Sequence, residues 1–494
     1  MHSLLLALYS AFMWLAQPVL RAKLARRAMA EPAYGQHMAE RFGYYAQAAD
    51  GHAVAVARAN QSTPIVWLHA VSLGETRAAA ILLASLRSQL PGMRLLLTHS
   101  TATGRAEGAK LLQPGDAQAW LPWDTLGATQ RFLAHFRPRI GILMETEVWP
   151  SLCAQAQRAG VPLVLANARL SSKSLQAAQR VAWLACPAYA SLAQVWAQTD
   201  ADAQRLAAIG ARHITVQGNL KYDIALDAAQ CALGRTWRQA AQRPVIMLAS
   251  SREGEEALFL QAISALQAVE PAQAAMQNIA RDRLTHSVQW LIVPRHPQRF
   301  DEVAALIAQA GFSLSRRSQW GMGTVASNAA NSSVNSSVNS SVNSSAKHAR
   351  NNTDSSTEIA NERAAALRSA PAAAQIWLGD SLGEMALYYS LSHSALLGGS
   401  FAPLGGQNLI EGIAAGCPIT LGPHTFNFAD AAASAVEQGA AVRAADMPSA
   451  LQAALQLTID APQRAAMQQA GQHWLATSRG AAQRMAAAVV QVLG

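Results

Sequence analysis

Three short stretches carry side chains that can move a proton or stabilise charge. In His69-Ala-Val-Ser-Leu-Gly-Glu75 an apolar run ends and a helical pattern begins, which puts Glu75 in the first turn of a helix behind Ser72 and Gly74. A carboxylate at such a strand end can act as a general base. The helix dipole favours the same residue as a simple cap. In Met144-Glu145-Thr146-Glu147-Val148-Trp149-Pro150 two acids follow the apolar run Ile140–Leu143. Acids beside a buried strand end are costly without a partner. One of the two is therefore expected to be paired or hydrogen-bonded, and the other solvated. Gln217-Gly-Asn-Leu-Lys221-Tyr-Asp223 offers Lys221 as a cation for a leaving phosphate, or as a solvated lysine in a crossover.

Three further stretches suit a phosphate. Ile292-Val-Pro294-Arg295-His296-Pro297 places an arginine at a strand end, and the planar guanidinium fork matches phosphate or carboxylate. Gly379-Asp-Ser-Leu382-Gly383-Glu384-Met385 is a strand-to-helix turn with N–H groups that can receive an anion. The glycine-rich stretch from Gly398 through Gly405 and Gly406 opens a helix at Asn408-Leu409-Ile410-Glu411. Asn408 and Glu411 share one helix face at i, i+3, so the helix start can hold a phosphate and the carboxylate a ribose diol.

Other chemistries lack their signatures. There is no His-Glu-x-x-His pair, no Gly-x-Ser-x-Gly elbow and no Walker lysine. Asp200-Ala-Asp202 opens a helix and reads as a cap, so no metal site is expected. The four cysteines, Cys153, Cys186, Cys231 and Cys417, are far apart, which argues against a zinc site or a disulfide framework and for a reducing compartment. The net charge of +9 points to an acidic partner such as an anionic membrane surface or a phosphorylated substrate. Nucleic acid is not expected, because zinc-finger spacing, RNP-like aromatics and long basic blocks are missing.

The elements that must position these residues follow a strand–helix alternation. Strands are predicted at 65–72, 93–100, 119–124, 140–147, 161–168 and 195–199, with helices between them. The pattern restarts with strands at 245–249, 290–294, 375–379, 395–397 and 418–421. Such alternation predicts an α/β chain of two Rossmann-like parallel-sheet lobes facing a cleft, joined near residues 222–243. A chain of 494 residues, 51% apolar and 14% charged, suits two or three domains. The divisions expected are 1–22, 23–222 and 223–494. Within the last, 324–358 carries Asn-Ser-Ser-Val repeats and few large apolar residues, the composition of a disordered insertion.

Leu4–Leu20 is a run without charge, followed by Arg21, Lys23, Arg26 and Arg27. Its length is at the short limit for a membrane-spanning helix. The basic cluster after the run predicts a signal-anchor that leaves the domains on the cytoplasmic side. A helix lying in the headgroup layer is the alternative.

Taken together and in this order, the six motifs resemble those of the 3-deoxy-D-manno-octulosonate (Kdo) transferases, over nearly the whole chain apart from 324–358. The resemblance implies a GT-B glycosyltransferase of the inner membrane that moves Kdo from CMP-Kdo to the glucosamine disaccharide of a lipid A precursor in lipopolysaccharide biosynthesis. It implies Glu75 as the general base, and Glu145 and Lys221 as transition-state stabilisers. It assigns CMP binding to Pro294, Arg295, Leu382, Gly383, Glu384, Asn408, Leu409, Ile410 and Glu411. No cofactor and no metal are implied, and the partners are CMP-Kdo, the lipid A precursor and membrane lipids. Two other readings stay open on the residues: a GT-B enzyme using a UDP-sugar, and a non-catalytic membrane module of the same fold.

Overall fold

The computed structural model describes residues 2–45, 64–267, 288–320 and 374–494. The Asn/Ser-rich stretch 324–358 lies outside them. The described chain divides into two compact units, 1–225 with 477–494, and 226–476.

The first unit is built on seven parallel strands: β1 (Ile65–His69), β2 (Arg94–His99), β3 (Ala117–Trp120), β4 (Ile140–Met144), β5 (Leu163–Ala168), β6 (Gln194–Ala197) and β7 (Ile214–Val216). Their order is β3-β2-β1-β4-β5-β6-β7. The chain leaves β1 on one side, returns after β3 to pair β4 with β1, and so makes a switch point between those two strands. In open α/β sheets this is where ligands bind, at the carboxyl ends. Strands β4 and β5 are buried along their whole length, as expected when helices cover both faces of a parallel sheet. Trp67 packs edge-on against Phe132 on one face, and Leu82, Leu86 and Met485 fill the other.

The second unit repeats the design with β8 (Val245–Ser251), β9 (Gln289–Pro294), β10 (Leu314–Arg316), β11 (Ile376–Leu378), β12 (Ser394–Leu397), β13 (Ile419–Leu421) and β14 (Ala441–Arg443). The order β10-β11-β9-β8-β12-β13-β14 puts its switch point between β8 and β12. The three-residue edge strands β7, β10 and β14 were not predicted. Each is too short to show a periodic pattern. The helical stretch expected between the strands at 161–168 and 195–199 is two helices, Ser172–Arg180 and Ala182–Ala190, broken at Val181.

Two expectations need correction. The uncharged N-terminal run is not one helix. Helix His2–Leu15 ends and Gln17–Ala30 begins, bent by 44°, and among the described residues no single helix is long and apolar enough to cross a membrane. Pro18 is the physical cause, because it has no N–H to bond the carbonyl of Trp14 and favours the start of a new helix. The second correction is that the last helix, Ala481–Leu493, belongs to the first unit and not to the lobe expected at 223–494. Its buried face, with Met485 and Val489, joins the core of that unit. Asp223 fixes its start by accepting the N–H groups of Gly480 and Ala482, both at 2.6 Å.

Asp223→Ala is expected to remove both of these bonds, lower stability by about 1–2 kcal/mol, and speed amide exchange across 481–493. Exchange there at the wild-type rate would mean that packing alone holds the helix.

Candidate functional site

The carboxyl ends of the central strands of the first unit gather five charged side chains. Glu75 stands one turn past β1. Its Oε2 accepts the N–H of Val71 at 2.9 Å and its Oε1 the hydroxyl of Ser72 at 3.0 Å, while Ser72 Oγ accepts the N–H of Glu75. The capping role is therefore real, yet two of about four acceptor positions of the carboxylate are still unused. Burial pushes the Glu75 carboxyl above its usual range, the bond from Val71 opposes this, and Glu145 nearby adds to the rise.

Glu145 follows β4 in the left-handed backbone region, with φ of 57°. Its side chain is buried and holds Arg169 Nε at 2.6 Å. Arg169 comes from the end of β5, where Asn167 is also left-handed at φ of 53°. Asn167 Oδ1 accepts the N–H of Leu220 at 3.0 Å, which fixes the turn bearing Lys221. Burial pushes the Lys221 ammonium below its usual range, and Glu145 draws it back up. Glu147 completes the group. Its side chain is only 15% exposed, so it is not the solvated acid that the sequence suggested. Burial and the charge of Glu75 push its carboxyl up to about 7.

In the second unit Pro294 closes β9, and the N–H of Arg295 bonds the carbonyl of Ser251 at the end of β8. Burial and the charges of Arg252 and Arg295 push the imidazole of His296 down, which marks a cationic corner at these two strand ends. In the turn after β11, Leu382 is exposed, Gly383 has φ of 79°, and Glu384 accepts hydrogen bonds from Arg317 at 2.7 Å and from Ser381. Asn408 caps the six-residue helix Leu409–Ala414 by accepting the N–H of Ile410. The side chains of Leu409 and Ile410 are sealed in the core, so only their main chain can meet a ligand. Glu411 is half-buried on the same helix.

The glycine-rich turn after β12 has donors of its own, ahead of the helix start at Asn408, and these are already taken. The wholly buried carboxylate of Glu255 accepts the N–H groups of Gly399 at 2.6 Å, Phe401 at 2.9 Å and Ala402 at 3.3 Å, besides that of Arg252. A side chain at Gly398 would lie 2.4 Å from the carbonyl oxygen of Ser250, so this close passage of two strand ends requires glycine. Among the described residues no group of three or more His, Cys, Asp or Glu side chains is arranged to hold a metal ion.

Glu75, Glu145 and Lys221, singled out from sequence, thus share one site within the first unit. Arg169, Asn167 and Glu255 were missed. A cation directly after the apolar strand at 161–168 was the available signal for Arg169. Glu255 shares with Glu75 a Gly-Glu pair after a strand, but its partners Gly399, Phe401 and Ala402 lie 144 to 147 residues away and leave no local signal of the clasp.

Residues 36–224 match the family model of 3-deoxy-D-manno-octulosonic-acid transferase (kdotransferase). The 3-deoxy-D-manno-octulosonic acid transferase of Bordetella pertussis is 44% identical over 91% of this chain and 92% of its own. That of Haemophilus influenzae is 27% identical over 97% and 96%. Among solved structures, the Anabaena HepE protein in complex with UDP superposes with a TM-score of 0.51 at 12% identity, covering 87% of this chain and 100% of that one. This last likeness speaks to the fold alone.

Glu255→Gln is expected to turn an amide N–H₂ toward backbone donors and lower stability by about 1–3 kcal/mol. Urea denaturation followed by tryptophan fluorescence measures this. A loss near zero would mean that the turn keeps its shape without the carboxylate.

Proposed function

The chain belongs to the 3-deoxy-D-manno-octulosonic acid transferase family, whose members are glycosyltransferases of lipopolysaccharide core assembly, and from that premise we propose that it moves Kdo from CMP-Kdo to a glucosamine hydroxyl of a lipid A precursor by direct, inverting displacement. The observation that carries this reading is the gathering of Glu75, Glu145, Arg169 and Lys221 at the ends of β1, β4 and β5 and in the turn after β7.

Glu75 takes the proton of the acceptor hydroxyl as its oxygen bonds the anomeric carbon of Kdo. The bond from that carbon to the phosphate oxygen breaks, and CMP leaves with the electron pair. A phosphate already ionised needs cations and N–H groups rather than a general acid. Lys221, held in place through Asn167 and flanked by the Glu145–Arg169 pair, stabilises the charge that develops. Arg295, the Leu382-Gly383-Glu384 turn and Asn408 through Glu411 hold CMP, with Leu409 and Ile410 acting through their main chain and Pro294 shaping the strand end. Neither a metal nor a cofactor enters this scheme.

The N-terminal helices support work at a membrane surface. Ser10 accepts the N–H of Leu126 and docks the first helix on its unit. Leu4, Leu8, Phe12 and Leu15 face outward, each more than half exposed. With Arg21, Lys23, Arg26 and Arg27 following, this face suits insertion into an anionic cytoplasmic leaflet, where the acceptor also lies.

Two experiments test this. In membranes supplied with CMP-Kdo and tetra-acylated lipid A precursor, the wild type is expected to release CMP and yield a Kdo-bearing product by mass. Glu75→Gln should retain CMP binding and turn over about 100-fold more slowly or worse. No CMP release from the wild type, or unimpaired turnover in the variant, overturns the donor or the base. Separately, Leu8→Ser with Phe12→Ser should move the protein from pellet to supernatant in co-sedimentation with anionic vesicles. Continued pelleting would remove the outward face from the mode of attachment.

A further inference from the structure

His69 closes β1 and is wholly buried. Its Nδ1 lies 3.1 Å from the carbonyl oxygen of Thr98 and 2.9 Å from the hydroxyl of the same residue. Assigning the ring proton to Nδ1, because the Thr98 carbonyl can only accept while its hydroxyl can also do so, leaves Nε2 with a bare lone pair. Nε2 is sealed from solvent and, among the described residues, has no hydrogen-bond partner. Oε2 of Glu147 stands 3.9 Å from it. Two lone pairs facing each other out of water repel, and one proton on Glu147 converts the contact into an O–H···N hydrogen bond once the atoms close by about 1 Å.

We propose that Glu147 is a positioning residue of the transfer site that works in its protonated form, donating to Nε2 of His69 and leaving Glu75 as the acid that ionises beside the acceptor. This rests on the reading of Glu75 as the base.

The surroundings agree. Burial, then Glu75, then Glu145 disfavour a charge on Glu147, while Trp149 Nε1 at 3.0 Å and the side chain of Thr146 favour it. His69 cannot compensate by taking a proton, because burial and then His99 push its imidazole far down, to about 3. Tyr189 also faces Glu147 and stays protonated. With the carboxyl neutral, the site holds one cationic lysine, one neutralised Glu145–Arg169 pair and one ionised base. An ionised Glu147 would add a like charge next to Glu75 and restore the clash with His69.

The sign follows from the raised carboxyl. The working proton is present at low pH and is lost as pH rises through about 7. Glu75 must be ionised, so it sets the acid side of the activity profile, and Glu147 sets the alkaline side.

The test is kcat and KM of the full-length enzyme in membranes from about pH 5 to about pH 9. Glu147→Ala should lose about tenfold or more in kcat with little change in KM. Glu147→Gln, whose amide can donate to Nε2 and cannot ionise, should recover most of that loss and move the alkaline fall upward, to the one that Lys221 sets on losing its proton. Infrared difference spectra of wild type against Glu147→Gln at neutral pH should show the C=O band of a protonated carboxyl.

The proposal is overturned if Glu147→Gln is as inactive as Glu75→Gln at every pH, since Glu147 would then act ionised. It is equally overturned if the alkaline fall persists unshifted in that variant, or if the infrared band is missing. A wild type without transfer, or an active Glu75→Gln, breaks the base assignment instead, and the infrared band still decides the state of Glu147.

Discussion

A carboxylate buried without a partner costs several kcal/mol, and each sheet of this chain places one at the same step of its path. The first strand of each unit ends, the chain turns through a Gly-Glu pair, and a helix begins: Gly74-Glu75 after β1, Gly254-Glu255 after β8. In both places the acid turns back on the turn that bears it, accepting the N–H of Val71 in one and of Arg252 in the other. The difference is what comes from the strand on the far side of the switch point. After β12, Gly399, Phe401 and Ala402 close over Glu255 and use up its acceptors. After β4 the chain delivers Glu145, which leaves Glu75 partly open and sets a like charge near it. One arrangement makes a structural clasp and the other leaves an acid with acceptor positions to spare.

Backbone strain is spent at the same level of the sheets. Glu145, Asn167 and Ser250 all take the left-handed conformation directly at strand ends. Such conformations persist only where surrounding bonds over-determine them. Those bonds are visible: Glu145 N–H to the carbonyl of Ala166, Asn167 Oδ1 to the N–H of Leu220. At two of the three positions the register with the neighbouring strand also shifts, between Leu165 and Ala168 and between Ala249 and Ser251. The strain re-aims side chains that an unbroken strand would send into the helix layers.

The legible part of the fold was the part with local periodicity. The long central strands and most helices announce themselves through apolar runs and caps, and so do Glu75, Glu145 and Lys221, because a charged residue just beyond an apolar run stands out. What needed a partner distant in sequence was not legible. The pairing of Arg169 with Glu145, the occupation of the glycine-rich turn by Glu255 and the return of helix 481–493 to the first unit all depend on contacts between segments tens to hundreds of residues apart. The N-terminal run failed for a different reason. Composition counted it as one segment, while Pro18 alone divides it.

The return of the last helix also sets the order in which the molecule can be completed. Residues 226–476 are an insertion within the first unit, which needs both 1–225 and 477–494. A ribosome makes the chain from its N-terminus, and domains tend to fold as they emerge. The helix Leu73–Gln89, with Leu82 and Leu86, must therefore wait without the packing of Ala481–Leu493 while some 250 residues of the second unit are synthesised and fold. The nascent chain holds its first unit unfinished until residues 477–494 have been made.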